Sequence, residues 1–104
     1  MILTKAIVTI PGVSVAAAAV GVAYTTVATV STSVREITIQ HSLDTQVKIS
    51  LDNGTTDHTF ITGTGSSVIA FGRNACHWSG VLKMMYTGVA PSTGVVNFSF
   101  IAAE

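Results

Sequence analysis

Charged side chains are scarce in this sequence of 104 residues, which has five Lys or Arg and five Asp or Glu. They make up 10% of the chain, against about 25% in ordinary soluble domains. A monomer surrounded by water normally presents more charge, so we expect other copies of the chain or a partner to cover much of the surface. The basic residues are scattered and the formal net charge is zero. Neither nucleic acid nor an anionic membrane is therefore expected as a partner.

Cysteine is nearly absent. The single Cys76 cannot form an internal disulfide, so nothing in the sequence demands an oxidising compartment. The chain also lacks the paired Cys and His spacings of a zinc site. A cysteine nucleophile would need an oriented histidine, and His77 would point to the opposite face of a strand, which leaves His41 or His58. We expect Cys76 to be a small buried apolar side chain instead.

The first third of the chain, residues 1–33, has no charge after Lys5. It is long enough for a membrane span, but it contains no Leu or Phe after Lys5, Thr and Ser are frequent, and Pro11 would break a helix. A signal peptide is the other alternative, because it also begins with a basic residue and an apolar run. We expect this region to be retained as two or three strands, with a turn at residues 10–13, that pack on the rest of the domain or on neighbouring subunits.

From Val34 onward, apolar and polar residues alternate with the period of two that half-buried antiparallel strands show. Six stretches have this character: 35–41, 46–51, 58–62, 66–71, 80–88 and 94–102. Strands this closely spaced, with turn residues between them, predict one all-β domain over residues 1–104: an antiparallel, jelly-roll-like β-sandwich of seven to nine strands. The predicted core consists of Ile39, Val47, Ile49, Leu82 or Met84, Phe98 and Phe100.

Residues 51–58, LDNGTTDH, bring Asp52, Asp57 and His58 close together in sequence. The Asn-Gly pair at 53–54 is a strong hairpin signal, because both central positions of a type I′ turn need positive φ. Asp57 and His58 are adjacent, so on a strand they would point to opposite faces. A calcium loop would need further oxygen ligands at fixed spacing. We therefore expect a hairpin tip here, with no metal and no cofactor.

The remaining candidates for chemistry are weaker. The glycine-rich residues 63–67 lack the pattern of a dinucleotide or phosphate loop and are predicted to form a turn. No two carboxylates, Asp44 included, are placed for acid–base work, so no catalytic residue is expected. Trp78, Tyr24 and Tyr86 are separated aromatics, more typical of a core or an interface than of a sugar-binding platform.

Three segments, residues 34–58, 62–72 and 80–96, resemble the small β-sandwich virion proteins of tailed bacteriophages. In that group an Arg precedes an Ile-x-Ile-Gln strand, a Val-x-Ile-Ser strand and a glycine turn follow, a Gly-Ser segment begins a further strand, and an Ala-Pro loop precedes the last. The matching positions are Arg35, Ile37, Ile39, Gln40, Val47, Ile49, Ser50, Gly54, Gly65, Ser66, Ala90 and Pro91. His41 stands where that group usually has Asn.

The resemblance spans roughly residues 34–101 and implies a non-enzymatic structural role in a virion that is assembled in the host cytoplasm. It implies foremost a capsid cement or decoration protein that stabilises the head shell and contacts the major capsid protein or another virion protein. A tail, neck or fibre component is an alternative within the same group. A glycan-binding adhesin module is an alternative from a different class.

The low charge of the sequence predicts that the chain is oligomeric before it meets any partner. We expect a homotrimer, because subunits at the threefold points of an icosahedral shell share that symmetry. Light scattering of the purified chain at micromolar concentration should give a mass well above the 10.7 kDa of one copy. A stable monomer under these conditions would contradict the prediction.

Overall fold

The structure, a computed structural model, describes residues 10–71 and 77–102. The described residues form one antiparallel sheet and a single turn of 3₁₀ helix, Ala17–Ala19. The strands are β1 (Val13–Ala16), β2 (Thr25–Ser50), β3 (Thr59–Ala70), β4 (Trp78–Tyr86) and β5 (Val95–Ala102). The predicted all-β, antiparallel class is therefore confirmed.

The described residues form five strands, where seven to nine are expected for the whole chain, because stretches predicted as separate strands are continuous. The predicted connection at 43–46 lies inside β2, where a bulge between Leu43 and Val47 shifts the register without ending the strand. The predicted turn at 63–67 likewise lies inside β3. Gly63 accommodates a local positive φ of 70° there. Turn residues within a long strand thus bend it rather than end it.

In the first third of the chain, the structure describes β1 and the beginning of β2. Residues 1–9, which precede the predicted turn at 10–13, lie outside the described residues. The small residues that follow β1 form the 3₁₀ turn. The described part of the uncharged region contributes to the sheet, with β1 paired to β5 and the start of β2 paired to β4.

β2 organises the sheet, since β3, β4 and β5 all pair with it. Its 26 residues are rich in Val, Ile and Thr, whose branched side chains favour the extended backbone. Its middle part, around Ile39, lies between β3 and β5: Ile39 is opposite Ser67 on one side and Phe98 on the other. The outer neighbour of β5 is β1.

β4 lies between the two ends of β2. Met84 is opposite Thr25 near the start of β2 and also opposite Ile49 near its end. Both ends of β2 can lie opposite Met84 only if β2 curves strongly between them. The described part of the chain contains no α-helix that could cover a sheet face, so the sheet encloses its apolar face by this curvature.

The buried side chains form one apolar cluster that contains every predicted core position. Its fully buried members come from β2, β4 and β5, which the curvature brings together: Val34, Ile37, Ile39, Val47, Ile49, Leu82, Met84, Val96 and Phe98. Phe100 is buried beside them. The alternation of apolar and polar residues in the sequence therefore identifies the inward face correctly.

Truncating the largest core side chain should unfold the domain more easily. Phe98 is 1% exposed, and Phe98→Ala should lower the free energy of unfolding by about 3–5 kcal/mol. Phe60 provides the matched control, because it is 51% exposed and Phe60→Ala should cost less than about 1 kcal/mol. Urea denaturation followed by circular dichroism measures both changes. Equal losses would show that the strand register given above is wrong.

The loop that leads into β5 packs against the bulge of β2 at Gly94. The backbone of Gly94 has a φ of 102°, and a Cβ atom at this position would overlap the carbonyl oxygen of Ser42. The loop is also held by its hydrogen bonds: Ala17 N donates to Gly94 O at 3.0 Å and Val95 N donates to Ser42 Oγ at 3.2 Å. Only a residue without a side chain fits this close approach.

Gly94→Ala should therefore destabilise the domain through both strain and overlap. Gly88 is the matched control, because its φ of 83° is also positive but nothing lies within 4 Å of a Cβ placed there. Gly88→Ala should show the backbone strain alone, and Gly94→Ala should lose about 1–3 kcal/mol more. Thermal unfolding of both variants measures the difference. If the two melt alike, the loop does not pack against β2 as described.

Candidate functional site

Residues 51–58, the tip, connect β2 to β3 and contain the polar group that the sequence singles out. Asn53 and Gly54 have φ values of 62° and 90°, and Thr55 N donates to Asp52 O at 3.4 Å. The predicted turn at Asn53-Gly54 is thus confirmed. Asn53 N also donates to Val81 O at 3.2 Å, which fixes the tip against β4.

Ser50, the last residue of β2, is fully buried beneath the tip. Its Oγ donates to Asp52 Oδ1 at 2.7 Å and accepts from Gly54 N at 2.9 Å. The same carboxylate oxygen accepts from Thr56 N at 2.8 Å. Hydrogen bonds from Thr56 and Ser50 lower the pKa of Asp52 to about 2. The Asp52 carboxylate therefore stabilises the loop through hydrogen bonds within the protein.

Asp57 joins the tip to both ends of β2. It accepts a hydrogen bond from Tyr24 Oη at 2.5 Å and forms an ion pair with Lys48 Nζ at 3.1 Å. Lys48 Nζ also lies 5.4 Å from the centroid of the Tyr24 ring. These hydrogen bonds, that from Tyr24 foremost, lower the pKa of Asp57. Burial and the bond to Asp57 raise the pKa of Tyr24, so the phenol remains a donor at neutral pH.

His58 takes a different partner from Asp57, its neighbour in sequence. His58 Nδ1 accepts a hydrogen bond from Leu51 N at 3.0 Å, which places the ring proton on Nε2 in the neutral form. The side chains of Asp52, Asp57 and His58 are thus each directed to partners within the fold. Within residues 10–71 and 77–102, no group of three or more His, Cys, Asp or Glu is placed to hold a metal ion.

Asp44 performs a similar structural role at the bulge of β2, which sequence reasoning missed. Its carboxylate accepts from Ser92 N at 2.9 Å, Ser92 Oγ at 2.6 Å and Thr93 N at 3.3 Å. These bonds, foremost those from Ser92, lower the pKa of Asp44. Asp44 and Ser92 are 48 positions apart, so no local pattern could have paired them.

The histidine candidates lie at different places among the described residues. Cys76 lies outside them, so its role as a small buried apolar side chain stays a prediction. His77 is exposed immediately before β4. His41 lies within β2, where its Nδ1 is 2.9 Å from Gly63 O. His58 is in the tip, where its Nδ1 accepts from Leu51 N.

The three separated aromatics also lie in different surroundings. Trp78 stacks with Phe71 and Phe100, at centroid distances of 6.1 and 6.5 Å, and its Nε1 donates to Leu51 O at 2.8 Å. Tyr24 belongs to the Asp57 contact, while Tyr86 is partly buried against the core. These rings therefore serve the core and the tip and do not form one binding platform.

Comparison with protein-family models, with curated proteins and with solved structures gives no match for this chain. In the part of the chain that the structure describes, no helix has the length and apolar character needed to cross a membrane.

The tip should make the domain sensitive to acid. The pKa of Asp52 is about 2 in the fold, below its ordinary value of 3.8. Ionised Asp52 therefore stabilises the fold above about pH 4, and this stabilisation is lost as the pH falls toward 2. Asp52→Asn should be less stable than the wild type at pH 7, and its melting temperature should fall less steeply between pH 4 and pH 2.

Melting curves recorded at several pH values between 7 and 2 measure this difference. Glu36→Gln, a change of the same kind outside the tip, serves as the control and should keep the steepness of the wild type. If the melting temperature of Asp52→Asn falls with pH as steeply as that of the wild type, the Asp52 carboxylate does not hold the tip.

Proposed function

We propose that this chain is a non-enzymatic structural protein of a tailed-phage virion, a cement or decoration protein that stabilises the head shell. The resemblance of residues 34–101 to small virion proteins supports this class. The observation that carries the proposal is that the polar side chains best suited to chemistry are engaged in holding the fold together.

The carboxylates of Asp44, Asp52 and Asp57 each accept two or more hydrogen bonds from the protein. His58 uses one ring nitrogen to bind the backbone of Leu51. Hydrogen bonds within loops occupy these groups, and within the described ranges they do not converge on a common point where a substrate or metal could bind. In a structural protein, hydrogen bonds to these carboxylates and to His58 stabilise the loops.

The surface of β3 supports attachment to another protein. Outward-facing positions on this strand are uncharged, and Phe60 and Val68 are 51% and 58% exposed at its two ends. Ile101 on β5 is 37% exposed on the same side of the sheet as Val68. Apolar side chains on a low-charge face are what a protein–protein contact buries, with little cost for removing charge from water.

The finer architecture belongs to the same proposal. The curved sheet acts as a small jelly-roll-like sandwich, and three copies assemble into a homotrimer that sits on the major capsid protein. Localisation in the virion follows from this role. Homotrimers suit the threefold points of an icosahedral shell.

Electron microscopy of particles from the phage that encodes this chain tests the proposal. Gold-labelled antibodies against the chain should decorate the head, and particles made without the chain should release their DNA at a lower temperature. Label on the neck, tail or fibres would contradict the cement role and favour the alternative virion location. Absence of label from intact particles would overturn the virion role itself.

A pair of variants tests which face attaches. Val68→Asp places a charge on the exposed apolar end of β3 and should weaken binding to shells that lack the chain. Thr29→Asp adds the same charge to an exposed polar position near the start of β2, where β2 pairs with β4 and not with β3, and should bind as the wild type does. Co-sedimentation with shells measures both. Equal binding by the two variants would exclude this face as the contact.

A further inference from the structure

A polar groove crosses the sheet where β3, β2 and β5 lie side by side. Its volume is about 390 Å³, within the size range of small-ligand sites. Eight residues line it: Gln40, His41, Ser42, Thr64, Gly65, Ser66, Val95 and Asn97. It is separate from the tip and uses none of the residues that hold the tip together.

The register of the strands places amide and hydroxyl side chains in a row across the groove. Gln40 is opposite Ser66 on β3 and Asn97 on β5, and Ser42 is opposite Thr64. In the described part of the chain, only two of the lining side chains, His41 and Ser42, have a hydrogen-bond partner within the protein. The groove therefore presents several unused donors and acceptors close together.

His41 lies on the opposite face of β2 from this row, because neighbouring strand residues alternate and His41 shares the face of the buried Ile39. Its Nδ1 is 2.9 Å from the carbonyl oxygen of Gly63, which can only accept, so Nδ1 carries the proton and the neutral ring leaves Nε2 as an acceptor. Gly65 lies beside that nitrogen: a Cβ there would be 3.8 Å from His41 Nε2 and 3.6 Å from Cε1. Gly65 is opposite His41 in the register, so it lies on that same face and leaves the row to Gln40, Ser66 and Asn97.

The chemistry of the lining selects the kind of ligand. No Lys, Arg, Asp or Glu lines the groove, so it offers no partner for a charged ligand. Amides and hydroxyls both donate and accept, which suits the hydroxyl groups of a sugar, and Val95 offers an apolar contact to the C–H groups of a sugar ring. We propose that this groove binds a neutral saccharide, a property that goes beyond the proposed virion role and does not depend on it.

Two-dimensional NMR of the ¹⁵N-labelled chain tests the proposal with three neutral probes: maltohexaose, cellohexaose and chitohexaose. An open polar groove should bind at least one of them with a Kd on the order of 1 mM. The backbone signals that move should cluster at Gln40, Ser66 and Asn97. Inorganic phosphate serves as the charged probe and should not move them.

Gln40→Ala supplies the decisive variant, because Gln40 lies in the middle of the row, opposite both Ser66 and Asn97. Binding should weaken by about tenfold, the equivalent of one or two lost hydrogen bonds. Asn97→Ala should show a similar loss and keeps the test valid if Gln40→Ala does not fold. Ser99→Ala, two residues along the same outward face of β5, is the control and should bind as the wild type does.

Several outcomes would overturn the proposal. The first is that none of the three saccharides moves the groove signals of the wild-type chain. The second is that the signals move for phosphate but for no saccharide. The third is that both Gln40→Ala and Asn97→Ala, with spectra that show an intact fold, bind with the affinity of the Ser99→Ala control.

Discussion

The curvature of one long strand is the constraint on which the rest of this structure depends. β2 pairs with β3, β4 and β5, and its two ends reach the same residue of β4, Met84. Without α-helices among the described residues, no other element could cover the apolar face of the sheet. The curvature of β2 therefore closes the core and at the same time brings Tyr24 and Lys48 to the tip.

The bulge between Leu43 and Val47 links this curvature to the loops. It places Ser42 and Asp44 where they can bind the loop before β5, through Val95 N and through Ser92 and Thr93. Bulges bend a strand and re-aim its side chains. Here the re-aimed side chains satisfy backbone groups of a turn that would otherwise have only water as a partner.

The proposed structural role and the proposed saccharide groove depend on different kinds of polar side chain. Ionisable side chains such as Asp44, Asp52 and Asp57 are engaged in hydrogen bonds that fix loops. Neutral polar side chains on the outward face, such as Gln40 and Asn97, are free of partners in the described part of the chain. Ionisable side chains thus stabilise the fold, and neutral side chains on the outer face stay available for binding, a division compatible with the proposed structural role.

Local patterns in the sequence determined the strand character, the inward face and the turn at Asn53-Gly54, because alternation and turn chemistry depend on neighbouring residues. They could not show that the stretches on either side of residues 43–46 form one strand, since a bulge and a turn use similar residues. Tertiary structure alone decided the contacts of Tyr24 with Asp57 and of Asp44 with Ser92, 33 and 48 positions apart. Such pairs depend on how the strands register across the sheet, and that register is set by the packing of the whole core.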